Sequence, residues 1–147
     1  MFNLKNLFVI FVLLLITSCT APSYLDFVKR DTNYFKKIAD ACELLIIDVQ
    51  KEPNKWEQKI KKDSIDWIVD EKDKTLPEKI KVLYANKIIV MKTSVKDNYR
   101  VWIGVGNLQG FGGGYSIVWE QNDNKKGLWE LQVIGGGRST VVYSKQK

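Results

Sequence analysis

Tyr99-Arg100-Val101-Trp102-Ile103-Gly104-Val105 alternates along its length, and Tyr115-Ser116-Ile117-Val118-Trp119-Glu120 repeats the pattern after a glycine-rich interval. A period of two puts Tyr99, Val101, Ile103 and Val105 on one side of an extended chain, with Arg100 and Trp102 on the other. Lys87-Ile88-Ile89-Val90-Met91, Leu128-Trp129-Glu130-Leu131-Gln132-Val133 and Thr140-Val141-Val142-Tyr143 have the same strand character. The intervals between these segments hold Lys96-Asp97-Asn98, the stretch Gly104 to Gly114, Asn122 to Gly127, and Gly135-Gly136-Gly137, all rich in turn formers. Connections this short join antiparallel neighbours, because a parallel pair needs a crossover of about a dozen residues or more. The expectation is an antiparallel meander with one apolar face and a water-facing side carrying Arg100, Glu120, Glu130 and Gln132. Ile65-Asp66-Trp67-Ile68-Val69 has strand composition too, which brings the sheet to five or six strands.

The period lengthens upstream. Tyr34, Ile38, Ala41, Cys42, Leu45 and Val49 fall on one face of a helix, and Lys36, Lys37, Asp40 and Glu43 fall on the other. Asp31, Thr32 and Asn33 offer N-cap side chains, and Pro53 ends the helix because the residue before a proline is pushed out of the helical region. Pro77 to Tyr84 is expected as a short second helix with proline in its first turn. One long amphipathic helix packed on a twisted antiparallel sheet defines an α+β architecture, assigned to residues 31–147.

The extreme N-terminus has a different composition. Lys5 precedes Leu7-Phe8-Val9-Ile10-Phe11-Val12-Leu13-Leu14-Leu15-Ile16, an uncharged run too short for the roughly 20 residues of a spanning helix but within the about 7–15 of a signal-peptide core. It ends in Ile16-Thr17-Ser18-Cys19, which resembles the lipobox of bacterial lipoproteins: an aliphatic residue, two small ones, then the cysteine that is modified. The resemblance covers residues 1–19 only. It implies that residues 1–18 are removed, that the Cys19 thiol carries a diacylglyceryl group, and that the new amino group accepts a further acyl chain such as palmitate. Residues 19–30 then form a lipidated tether. Ordinary secretion with cleavage after Cys19-Thr20-Ala21 would place Pro22 next to the cut, where its ring is disfavoured. Thr20 stands where an Asp would mark retention in the inner membrane, so the resemblance implies the outer membrane, facing the periplasm or the cell surface, in a cell that has one.

These 147 residues, 45% hydrophobic and 27% charged, suit one compact domain rather than a disordered or multi-span chain. The net charge of +6 rests on 23 Lys and Arg, of which only Arg30, Arg100 and Arg138 are arginine. Bidentate phosphate recognition is therefore poorly served, and export removes nucleic acid as a partner. With Cys19 acylated, Cys42 has no intrachain partner and is expected as a buried apolar thiol. The chain has no histidine, and a reactive Cys42 would lack a base.

No catalytic constellation is legible, and the sequence is read as non-enzymatic, without cofactor or metal. The acidic group Asp63, Asp66, Asp70, Glu71 and Asp73 lacks the glycine and closing glutamate of a calcium loop and is expected as a solvated turn. The glycine stretch departs from both nucleotide-binding fingerprints. Arg100 and Trp102 on the outer sheet face, and Phe111 among glycines, are the candidate partner-binding residues. A membrane held through Cys19 and an envelope protein or cell-wall polymer are the expected partners. The functional expectation is an envelope lipoprotein that binds a macromolecule in an assembly, inhibitor or immunity-type role, with small-ligand or cell-wall glycan binding as the alternative and a hydrolase ranked below both.

Overall fold

The computed structural model describes residues 23–70, 72, 76, 85–93, 98–106 and 114–147. Among these residues two helices lead into a sheet: α1 (Tyr24–Val28), α2 (Thr32–Lys51), β1 (Glu57–Ile60), β2 (Ser64–Val69), β3 (Ala85–Thr93), β4 (Asn98–Val105), β5 (Tyr115–Gln121), β6 (Leu128–Gly135) and β7 (Arg138–Gln146). The strands lie side by side in sequence order, and each neighbouring pair is antiparallel. The α+β meander thus stands, with seven strands where five or six were expected.

The helical layer is shorter than expected. α2 has 20 residues, capped at its start by Asp31, whose side chain accepts from the Tyr34 backbone amide, and ended at Glu52 ahead of Pro53. The preceding residues are not a free tether. Ser23 caps α1, with its hydroxyl accepting from the Asp26 amide, and Phe27 is buried edge-on against Phe35 with ring centroids 5.5 Å apart. The Tyr24 and Thr140 hydroxyls share a 2.7 Å hydrogen bond that ties α1 to β7. Of the tether expected over residues 19–30, Tyr24–Val28 are instead a packed helix, and residues 19–22 lie outside the described residues. The expected helix at 77–84 lies outside the described residues.

β1 is the added strand. All four of its residues are exposed, so it has no apolar face to announce it. Its extended state follows from pairing with β2, from Glu57 opposite Ile68 to Ile60 opposite Ile65. At the other edge, β6 and β7 are joined through Gly136 and Gly137, both at positive φ. Two adjacent left-handed residues make a turn whose twist matches the strands, and glycine accepts that backbone without a Cβ penalty.

The core lies between α2 and one sheet face. Ile38, Ala39, Cys42, Leu45 and Val49 meet Val90, Val101, Ile103, Ile117, Trp119, Leu131 and Val133 in one buried cluster. Trp119 sits at its centre, stacked on Tyr143 and tilted against Trp129. Lys145 and Lys147 reach Glu43 at 3.3 and 3.2 Å, fastening β7 to the middle of α2. No helix among the described residues is long and apolar enough to cross a membrane.

Candidate functional site

The face of the sheet away from α2 carries its own pattern. Strand register sets Ile68 beside Ile89, Ile89 beside Trp102, and Trp102 beside Val118, forming an apolar row across β2, β3, β4 and β5. Gln132 and Val141 continue the row to β7. Val118 is buried although it does not belong to the core beneath α2, and Ile68, Ile89, Met91 and Trp102 are half-buried. Among the described residues no helix crosses this face.

Trp102 lies where the alternation placed it, on the same face as Arg100 and opposite Val101 and Ile103. Its orientation depends on Gly104, two residues along the same strand. A Cβ on Gly104 would stand 2.6 Å from the Trp102 Cη2 atom, so the indole rests directly on the backbone that the glycine leaves bare. Glycine inside a strand commonly marks such a close approach. Trp56, Trp67 and Trp119 are buried, and Trp129 packs half-buried against the core, so Trp102 is the tryptophan offered by the outer face.

One row further, Arg100 Nε is ion-paired with Glu120 on β5. Gln132 Nε2 donates to Glu120 Oε1 at 3.2 Å, and Ser139 Oγ donates to Gln132 Oε1 at 3.0 Å. These contacts form a polar chain across β4, β5, β6 and β7 that holds the guanidinium beside Trp102 while leaving it substantially open to water. An open cleft of about 260 Å³ adjoins Arg100 and Glu120, with Asp63, Thr93, Asn98, Tyr99, Gln121 and Asp123 on its walls. The geometry offers recognition: an aromatic surface, an oriented guanidinium and a polar hollow.

Asp66 departs from the solvated turn expected for the acidic group. It is 3% exposed within β2, with its carboxylate 2.5 Å from Lys61 Nζ and accepting from the Ser64 hydroxyl. Asp70 instead accepts from the Lys72 backbone amide. Cys42 is fully buried in α2, and burial, reinforced by the neighbouring Glu43 charge, pushes its thiol pKa far up. A thiol held protonated in this way is a packing group. Tyr115 is similarly raised, first by burial, and its hydroxyl has no hydrogen-bond partner among the described residues; the same is true of the Trp119 Nε1 group.

Glu120 and Gln132 were expected only as water-facing residues, and their part in orienting Arg100 needs the strand register, which alternation alone does not supply. Gly104 had a local signal, since it shares a strand face with a tryptophan two positions away. Cys19 and Phe111 lie outside the described residues. Comparison with protein-family models, with curated proteins and with solved structures finds no match to this chain.

Proposed function

We propose that this chain is a lipid-anchored protein of the bacterial cell envelope, held by acylated Cys19, and that its non-catalytic domain binds another macromolecule through the open sheet face. The observation carrying the binding assignment is the apolar row Ile68, Ile89, Trp102 and Val118 on a face that no described helix covers. A central apolar strip bordered by a charged and polar row is the usual layout of a protein-binding patch, with tryptophan and arginine the side chains most often decisive in it. The ion-paired Arg100 and the Glu120–Gln132–Ser139 chain form such a border.

The test uses a photo-crosslinking residue placed at Trp102 in the full chain in its own envelope, with matching placements at Leu44 on α2 and at Asn124. One discrete protein adduct from position 102, absent at the other two, is the expected outcome. Adducts of equal yield at all three positions, or one confined to position 44, would reject this face. Wild-type protein should incorporate labelled palmitate and Cys19→Ser should not.

The polar cleft beside Arg100 favours the second reading, a cell-wall glycan or small polar ligand. Under it, purified peptidoglycan co-sediments the protein and Trp102→Ala abolishes the effect; sedimentation unaffected by that substitution removes the aromatic platform from the glycan reading.

A further inference from the structure

We infer that the end of the domain formed by α1 and the β6–β7 turn is a docking surface for an anionic lipid bilayer, so that the Arg100 cleft faces away from the membrane. The inference rests on the acylation of Cys19 proposed above and adds to it an orientation and a contact surface.

Chain length carries the argument. Ser23 is the fixed N-cap of α1, and α1 is locked down by buried Phe27 and by the bond from Tyr24 to Thr140. Four residue steps separate Cys19 from Ser23, a reach of about 14 Å at full extension. An acyl-bearing cysteine sits at the base of the headgroup zone, which is roughly 5–7 Å deep on each side of a bilayer. What remains is about 7–9 Å, less than the roughly 10 Å diameter of a helix. α1 is therefore held against the headgroups.

The surface brought there fits that contact. Leu25 is 59% exposed on α1, and Ile134 is 39% exposed on the opposite sheet face, next to the turn. Lys29, Arg30 and Arg138 are exposed at the same end, and Lys29 and Arg138 have no ion-pair partner among the described residues. Two acids lie at the same end, Asp26 accepting from the Ser23 hydroxyl at 2.5 Å and Asp31 from the Tyr34 amide at 2.8 Å, so the three cations exceed the nearby carboxylates by one. Cations held this close lie within the Debye length of about 8 Å at physiological ionic strength, so an anionic surface attracts them with little screening. The Asn122–Gly127 connection and the cleft lie at the other end of the strands, eight residues of β6 or about 23 Å away.

The test uses the full-length acylated protein in vesicles containing phosphatidylglycerol and a quencher attached to lipid headgroups. Fluorophores are placed through Ser139→Cys near the turn or Asn124→Cys at the far end; Cys42 is buried and Cys19 is blocked by its lipid. Emission from position 139 should be quenched and emission from position 124 should be unaffected. Adding Leu25→Asp with Arg138→Glu should weaken the quenching at 139, because the tether still keeps α1 near the bilayer but the surface no longer favours contact, while palmitate incorporation is retained. Equal quenching at both positions, or quenching at 139 unchanged by the double substitution, overturns the docking surface and leaves the anchor standing. Absence of acyl label on Cys19 overturns the anchor itself, and the docking inference with it.

Discussion

Gly104 and Trp102 form a mutual dependence within a single strand. The ring occupies the space that a Cβ at position 104 would need, so Gly104→Ala must lift the indole or shift the strand. Overpacking of this kind costs about 1–3 kcal/mol. With Trp102→Ala already present the obstruction is gone, and the second substitution should cost almost nothing. Urea denaturation of the four proteins in the cycle measures the coupling; additive effects, within roughly 0.5 kcal/mol, would show that the ring does not rest on the glycine. At this scale the sequence was partly legible. Alternation put Trp102 and Arg100 on one face, because side-chain direction along a strand is a local property. The partner of Arg100 was not legible, because Glu120 reaches it only through the register between β4 and β5. Asp66 shows the same limit: its burial beside Lys61 follows from the β1–β2 hairpin, and nothing in an acid-rich segment announces that hairpin.

Among elements, legibility followed length and amphipathicity. The start and end of α2 were readable from Asp31 and Pro53, and the five strands from Lys87 onward from their period of two. α1 has five residues, too few to display a helical period, although Ser23 followed three positions later by Asp26 is a capping pattern that marks its start. β1 has no apolar side to display. The difference between a tether and a packed α1 is measurable. Phe27→Ala should destabilise the protein by about 3–5 kcal/mol, the range for deleting a buried phenylalanine. A substitution in a solvated tether would stay within about 0.5 kcal/mol, and a value that small would return residues 24–28 to the tether. Asp31→Ala, which removes the cap of α2 and leaves the core intact, should cost about 1 kcal/mol. The corresponding change at the exposed neighbour, Thr32→Ala, serves as its control and should fall well below that.

The whole molecule is polarised in two directions: core face against open face, and the α1 end against the cleft end. The first follows from having, among the described residues, helices on one face of a two-sided sheet, and the second from the point at which the described chain enters the fold. Its response to pH follows from what is buried. There is no histidine, and the raised groups among the described residues are Cys42, Tyr115 and Tyr34. Burial is the leading cause for each; the Glu43 charge adds to it at Cys42, whereas Arg30 opposes it at both tyrosines. In the unfolded chain a thiol titrates at about 8.5 and a phenol at about 10. Below those values folded and unfolded chains hold these protons equally, and the three groups leave stability flat. Above them the unfolded chain releases protons that the folded chain retains, so stability falls as pH rises. The decline should begin near pH 8.5 with a slope approaching about 1.4 kcal/mol per pH unit from the thiol alone, then steepen above about pH 10 as the phenols join. Cys42→Ala should be less stable at neutral pH, because it shrinks a core side chain, yet should lack the first stage of the decline. Urea midpoints from pH 7 to 11 decide the matter: a variant that loses stability from pH 8.5 with the wild-type slope would place the linkage elsewhere than the buried thiol.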